Sequence, residues 1–151
     1  MAELILADSG DTVVFGAWKP DPTAQPVTLL VFDDVISDTA SQYTPTRFNR
    51  ELAEGERYVI QAICDDVTGT SPTITIVYEH SADGRTFIAK NGGIGEINTA
   101  SLAVGATTNL RSTGFSSGAR AGHGMARLRL ALGGTSPKAH VKVWVTLRPY
   151  A

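Results

Sequence analysis

Tyr58-Val59-Ile60-Gln61-Ala62-Ile63-Cys64 and Thr73-Ile74-Thr75-Ile76-Val77-Tyr78-Glu79-His80 flank the tetrapeptide Gly69-Thr70-Ser71-Pro72. The same tetrapeptide returns as Gly134-Thr135-Ser136-Pro137. It stands between Met125-Ala126-Arg127-Leu128-Arg129-Leu130-Ala131-Leu132 and His140-Val141-Lys142-Val143-Trp144-Val145-Thr146-Leu147. Period-two alternation sends successive side chains to opposite faces of a strand. A Gly/Ser/Pro break between two such runs reads as a hairpin connection. Two long antiparallel hairpins are therefore expected as the spine of a β domain.

Working outward, Leu4–Leu6 and the β-former-rich run Thr12–Trp18 predict short strands. Lys19 to Pro26 carries three prolines and must leave the sheet, because proline donates no ladder hydrogen bond. Residues 1–26 thus read as N-terminal strands and a Pro-rich arm, and residues 27–151 as the core of the same domain. Val27–Phe32 resumes as a strand. Thr46 to Ala53 predicts a short helix, with Thr46 as N-cap, Phe48 and Leu52 on one face, and Gly55 as its end. Asp83-Gly84 is a turn signal, and Thr86–Ala89 is the strand returning from it. Further short strands are expected at Gly95–Asn98, Ser101–Val104 and Thr108–Ser112, followed by a glycine-rich loop from Ser112 to Gly124. Many strands with little helix indicate an all-β antiparallel sandwich or jelly-roll-like domain.

A chain of 151 residues fits one domain, and 42% hydrophobic with 19% charged residues is globular. A net charge of −2 argues against broad binding to nucleic acid, which needs a cationic surface to displace counterions. Cys64 is the single cysteine, so no intrachain disulfide forms. The N-terminus lacks the basic leader and apolar run of a signal peptide, and no stretch approaches a membrane span, so synthesis in the cytoplasm is expected.

The residues point to no catalytic centre. His80, Ser81 and Asp83 lie together in sequence, but a hairpin turn sends their side chains apart and no nucleophile elbow is present. Cys64 precedes Asp65 and Asp66, whose charges oppose a thiolate, so a buried strand cysteine is expected. Neither His-Glu-x-x-His nor Cys-x-x-Cys occurs. Asp33, Asp34 and Asp38 lack EF-hand spacing, and no metal or cofactor is expected. The glycine-rich pieces lack the strand-loop-helix context of a phosphate cradle. Ser81–Phe87 resembles the Asp-box turn of sialidase propellers, but is one residue short and occurs once.

In the last strands, Leu128, Leu130, Leu132, Val141, Val143, Val145 and Leu147 are expected to face the core. Arg127, Arg129, Lys142, Trp144 and Arg148 then project outward, giving a basic and aromatic surface that either a partner covers or solvent bathes.

The segment Leu52–Phe87, with Val67-Thr68-Gly69-Thr70-Ser71-Pro72, an alternating strand and His80-Ser81-Ala82-Asp83-Gly84-Arg85, resembles a module of small virion proteins of tailed bacteriophages and prophages. Gly133-Gly134-Thr135-Ser136-Pro137 before the final strand is similar too. The resemblance implies a non-enzymatic β-sandwich of the virion, a head decoration or head-associated protein. Such a protein forms homo-oligomers, with a trimer favoured, and binds a major capsid or other shell protein, with no membrane and no direct nucleic-acid contact. It makes Trp18, Arg47, Phe48, Arg120, Arg127, Arg129, Trp144 and Arg148 candidate assembly contacts, together with the segments Asp8–Pro26 and Asp38–Gly55. Arg111, Arg120 and His123 are cations that suit an acidic neighbouring subunit. The alternative is a carbohydrate- or peptide-binding module with Trp18, Trp144, Tyr78 or Tyr150 as its stacking platform.

Overall fold

The structure, a computed structural model, describes residues 27–54, 58–89, 96–112 and 124–147. The expected strands before Val27, the Pro-rich arm, Gly55, Trp18, Arg120, His123, Arg148 and Tyr150 lie outside them. The described strands are β1 (Val27–Ile36), β2 (Gln42–Tyr43), β3 (Tyr58–Ser81), β4 (Ile88–Ala89), β5 (Ile97–Ser101), β6 (Thr108–Arg111) and β7 (Met125–Leu147). A 3₁₀ turn at Thr46–Phe48 leads into the helix α1 (Asn49–Glu54).

The two Gly-Thr-Ser-Pro tetrapeptides are not hairpin turns. β3 runs for 24 residues and β7 for 23, each passing straight through its tetrapeptide. The two strands pair with each other antiparallel, from Tyr58↔Leu147 to Ser81↔Met125, and the register slips only between Asp65 and Thr73. There the tetrapeptides meet, with Thr70 opposite Thr135. Gly69 and Gly134 have φ of +116° and +102°, and Ser71 and Ser136 both have φ of +50°. These left-handed residues kink both strands at one level, while Pro72 and Pro137 turn inward and are buried. Proline is tolerated there because a bulge needs no ladder donor.

The double kink folds one antiparallel sheet into two leaves. In the first, the order is β1, the second half of β7, the first half of β3, then β6. In the second it is β2, the first half of β7 and the second half of β3, whose far edge carries β4 and β5. This is the expected all-β sandwich, built by two strands that each serve both leaves.

Alternation then fills the space between the leaves. Ile60, Ala62 and Cys64 face inward before the kink of β3, and Ile74, Ile76 and Tyr78 after it. From β7 come Ala126, Leu128, Leu130 and Leu132, then Ala139, Val141, Val143, Val145 and Leu147, as the sequence pattern predicts. Each large aliphatic side chain so buried contributes about 1.5–3 kcal/mol relative to exposure. All belong to one hydrophobic core.

Helix α1 packs on β7 and closes one side of that core. Leu52 is fully buried, Phe48 is half-buried against the core, and the Tyr78 hydroxyl donates to the Leu52 carbonyl at 2.9 Å. Thr46 is not an N-cap: it lies inside the 3₁₀ turn, which starts after Pro45 and has no side-chain cap. The single strand β5 replaces the two strands expected at Gly95–Asn98 and Ser101–Val104. Beyond it, Leu102 N–H donates to the Pro72 carbonyl and Gly105 N–H to the Val67 carbonyl, which ties the next turn to the kink of β3.

Candidate functional site

Side chains that alternate away from the core form the outer faces of the two leaves, and these faces differ in chemistry. On the second leaf the cations are used internally. The buried Glu79 carboxylate accepts from Arg127 Nε at 2.8 Å and from Arg129 Nε at 2.9 Å. The Arg127 guanidinium also lies 3.9 Å from the ring centroids of both Tyr43 and Phe87, so it is sandwiched between two aromatic faces. β2 and the segment leading to β4 are thereby clamped onto the leaf.

On the first leaf the outward residues form rows across four strands. Leu30, Trp144, Gln61 and Arg111 occupy successive registered positions on β1, β7, β3 and β6. The next row is Asp33, Lys142, Ile63 and Asn109, and Thr28, Thr146 and Val59 form the row on the other side. Between β7, β3 and β6 lies an open cleft of about 380 Å³ lined by Val59, Gln61, Asn109, Leu110, Arg111 and Thr146. Trp144 is half-buried beside it. Along β1, Leu30 and Val35 are exposed outward at 41% and 51%, and Val27 at the strand start at 40%.

At the level of the kink, His140 joins three strands. Its Nε2 lies 2.6 Å from Asp33 Oδ1 of β1, and its Nδ1 lies 3.0 Å from Asp65 Oδ1 of β3. The hydrogen bond to Asp33 raises the imidazole pKa; desolvation opposes it, and the charges of Asp65 and Asp33 add to the rise. Asp66 approaches the same place, so that ligand-type atoms of Asp65, Asp66 and His140 lie within 4.8 Å of one another. With both ring nitrogens engaged by carboxylates, the cluster works as a charged clasp. Asp33, Asp34 and Asp38 do not converge: Asp34 accepts from Val35 N–H and Asp38 from Ala40 N–H.

The residues weighed for chemistry have local explanations. Cys64 is fully buried, and burial pushes its thiol pKa up to about 11, with the Asp65 charge adding to the rise. Asp83 builds the turn after β3. Its Oδ1 accepts from the N–H groups of Thr86 and Arg85 and from the Ser81 hydroxyl, which lower its pKa to about 2.

Among the expected contact residues, Trp144 stands on the outer face of the first leaf. Arg127 and Arg129 belong to the Glu79 clasp on the other leaf, and Arg47 stacks on Phe48 at 4.7 Å. The basic and aromatic outer surface expected of β7 is thus divided between two leaves. Tyr78 is buried and cannot be a stacking platform. Gln61 and Asn109 were not singled out by sequence, whereas Arg111 was, as a cation suited to an acidic neighbouring subunit. Alternation puts Gln61 outward, but its neighbours come from strands far away in the chain.

No family model matches the sequence, and no curated protein matches it. Solved structures share the fold at low identity. A structure of infectious bursal disease virus, Gx strain, is 10% identical with a TM-score of 0.53, covering 98% of this chain and 38% of that one. The T13 particle of the same virus gives 10% identity and a TM-score of 0.52, covering 98% and 36%. The chain therefore spans little more than a third of those viral proteins. The C-terminal family 22 carbohydrate-binding module of Clostridium thermocellum Xyn10B is 9% identical with a TM-score of 0.50, covering 89% of this chain and 87% of the module. These likenesses concern the fold.

Proposed function

We propose that the protein is a structural component of a phage or phage-like particle, a capsid decoration or head-associated protein that bridges neighbouring subunits. In this reading it acts by binding alone, as a homo-oligomer with a trimer favoured, on a shell protein of the virion after synthesis in the host cytoplasm. The observation that carries it is the outward face of β1, where Leu30 and Val35 are exposed at 41% and 51% and Leu30 registers beside Trp144. Apolar side chains exposed on the outermost of the described strands gain by being covered. Many copies binding at once then make even a modest interface effective. The occurrence of the fold in viral particle proteins agrees with this role. Among the described residues, no helix is long and apolar enough to cross a membrane.

Light scattering on the eluting protein tests the reading. The wild type is expected as a trimer or larger species. The Leu30→Glu/Val35→Glu variant is expected as a monomer with an unchanged unfolding midpoint. A wild type that stays monomeric at high concentration, and a variant that behaves identically, would remove the homo-oligomer from the proposal.

A further inference from the structure

The cleft between β7, β3 and β6 carries three polar side chains, Gln61, Asn109 and Arg111, that the core does not use, while the Thr146 hydroxyl at its rim already meets that of Thr28 on β1 at 2.9 Å. Gln61, Asn109 and Arg111 are exposed on its walls, Thr146 and Val59 are half-buried, and Leu110 packs against the core from β6. Among the described residues, no side-chain hydrogen bond, ion pair or ring contact engages Gln61, Asn109, Arg111 or Trp144. Arg127 and Arg129 on the other leaf are bound to Glu79. Among the described residues, Arg111 is the cation lining the cleft, and its side chain is unengaged where Arg127 and Arg129 are occupied. Strand register places Gln61 between Trp144 and Arg111, so the backbone order of the row is fixed.

The chemistry of the row selects a ligand. Each carboxamide offers two donors and an acceptor with two lone pairs, and a guanidinium offers five donors. A ligand that fills such a set must present many groups that both donate and accept. The apolar atoms of Val59, together with the half-buried indole of Trp144 at one margin, call for C–H faces between those polar groups. Sugar rings combine the two: hydroxyls around an edge and a face of C–H bonds that stacks on an aromatic ring. Arg111 on the cleft wall can meet either a hydroxyl or a uronate or sialate carboxylate. Placement on strands, not on a long loop, keeps the set pre-organised.

We infer that this cleft is a glycan-binding site, with Gln61, Asn109 and Arg111 as hydrogen-bonding residues and Trp144, beside the cleft, as the stacking surface. The site does not depend on the assembly reading. It uses the β7, β3 and β6 side of the leaf, whereas exposed Val35 stands on β1 opposite His140, so Val35→Glu alters the β1 face without touching the row of Trp144.

The test is a ¹H–¹⁵N NMR titration of the full chain with cellohexaose, xylohexaose and chitohexaose as neutral probes and with oligogalacturonide and sialyllactose as acidic ones. A saturable shift of the Gln61 and Asn109 side-chain amides and the Trp144 indole N–H, together and with one probe, is the expected result. Asn109→Ala and Trp144→Ala should each weaken that binding by about tenfold, since loss of one stacking or amide contact is worth on the order of one decade. Arg111→Ala should do the same for an acidic probe and less for a neutral one. Val35→Glu, which stands outside the row of Trp144, should bind as the wild type does. No movement of these three resonances with any probe at millimolar concentration overturns the inference. So does a shift that survives in Asn109→Ala and Trp144→Ala, with unfolding midpoints confirming that both variants are folded.

Discussion

Thr70 and Thr135, the same position in the two Gly-Thr-Ser-Pro copies, face each other across the β3–β7 ladder. Around them the copies fit together nearly symmetrically. A Cβ on Gly69 would fall 2.8 Å from the Ser136 carbonyl oxygen, and one on Gly134 would fall 2.7 Å from those of Thr70 and Ser71. Each copy is thus shaped by the backbone of the other.

Gly69→Ala and Gly134→Ala should therefore each destabilise the fold by about 1–3 kcal/mol or more, because strained dihedrals and a backbone clash act together. Gly105→Ala is the control. Its φ is also positive, at +77°, but open space surrounds it, so the cost should be about 1 kcal/mol. Urea unfolding of the three variants reads the difference directly.

Arg129→Glu should lower stability, because the new carboxylate would stand against buried Glu79. Glu79→Gln should cost about 1–3 kcal/mol, since one acceptor for two arginines loses its charge. If both variants unfold like the wild type, the clasp contributes nothing and those arginines are free for contacts elsewhere.

Leu52→Ala should cost about 2–5 kcal/mol, the range for emptying a closed aliphatic site. Leu52 is the fully buried anchor of a helix too short to be stable alone. Amide hydrogen exchange in residues 49–54 should rise with it, while the β3–β7 ladder stays protected.

His140 predicts a pH dependence of defined sign. Its folded-state pKa lies above its ordinary value near 6.5, so the clasp contributes fully below that value and is lost as pH rises through the raised folded pKa. Asp33 from β1, with Asp65 and Asp66 from β3, surrounds the ring, and Lys142 stands opposite Asp33 in the ladder. Stability should thus decline as pH rises from about 6.5 through the raised folded value, and His140→Gln should abolish that decline. Asp83 acts at the other end: its pKa is lowered to about 2, so the turn it builds weakens only as pH falls from about 4 through that value.

Much of this was legible in the chain. Period two in residues 73–80 and 125–132 marked the strands and their inward sides, and Phe48 with Leu52 marked the helix. Asp83-Gly84 marked its turn, and two carboxylates after Cys64 marked an unreactive thiol. Each signal is local: it depends on residues within a few positions, which alternation, turn dihedrals or neighbouring charge bring together without help from the rest of the fold.

The tetrapeptides show where that stops. Gly-Thr-Ser-Pro supplies left-handed dihedrals and a missing donor, which suit a hairpin turn and a mid-strand kink equally well. The outcome was decided by what lies across the ladder, and for each copy that is the other copy. The same holds for the binding face: Gln61 was readably outward, but its place between Trp144 and Arg111 comes from pairing with β7 and β6. Sequence by itself determined the all-β class, the inward residues and the local turns. Tertiary structure alone decided that two hairpins were one kinked pair, which cations were bound internally, and which polar groups met in the cleft, because ladder register joins residues whose separation along the chain carries no signal.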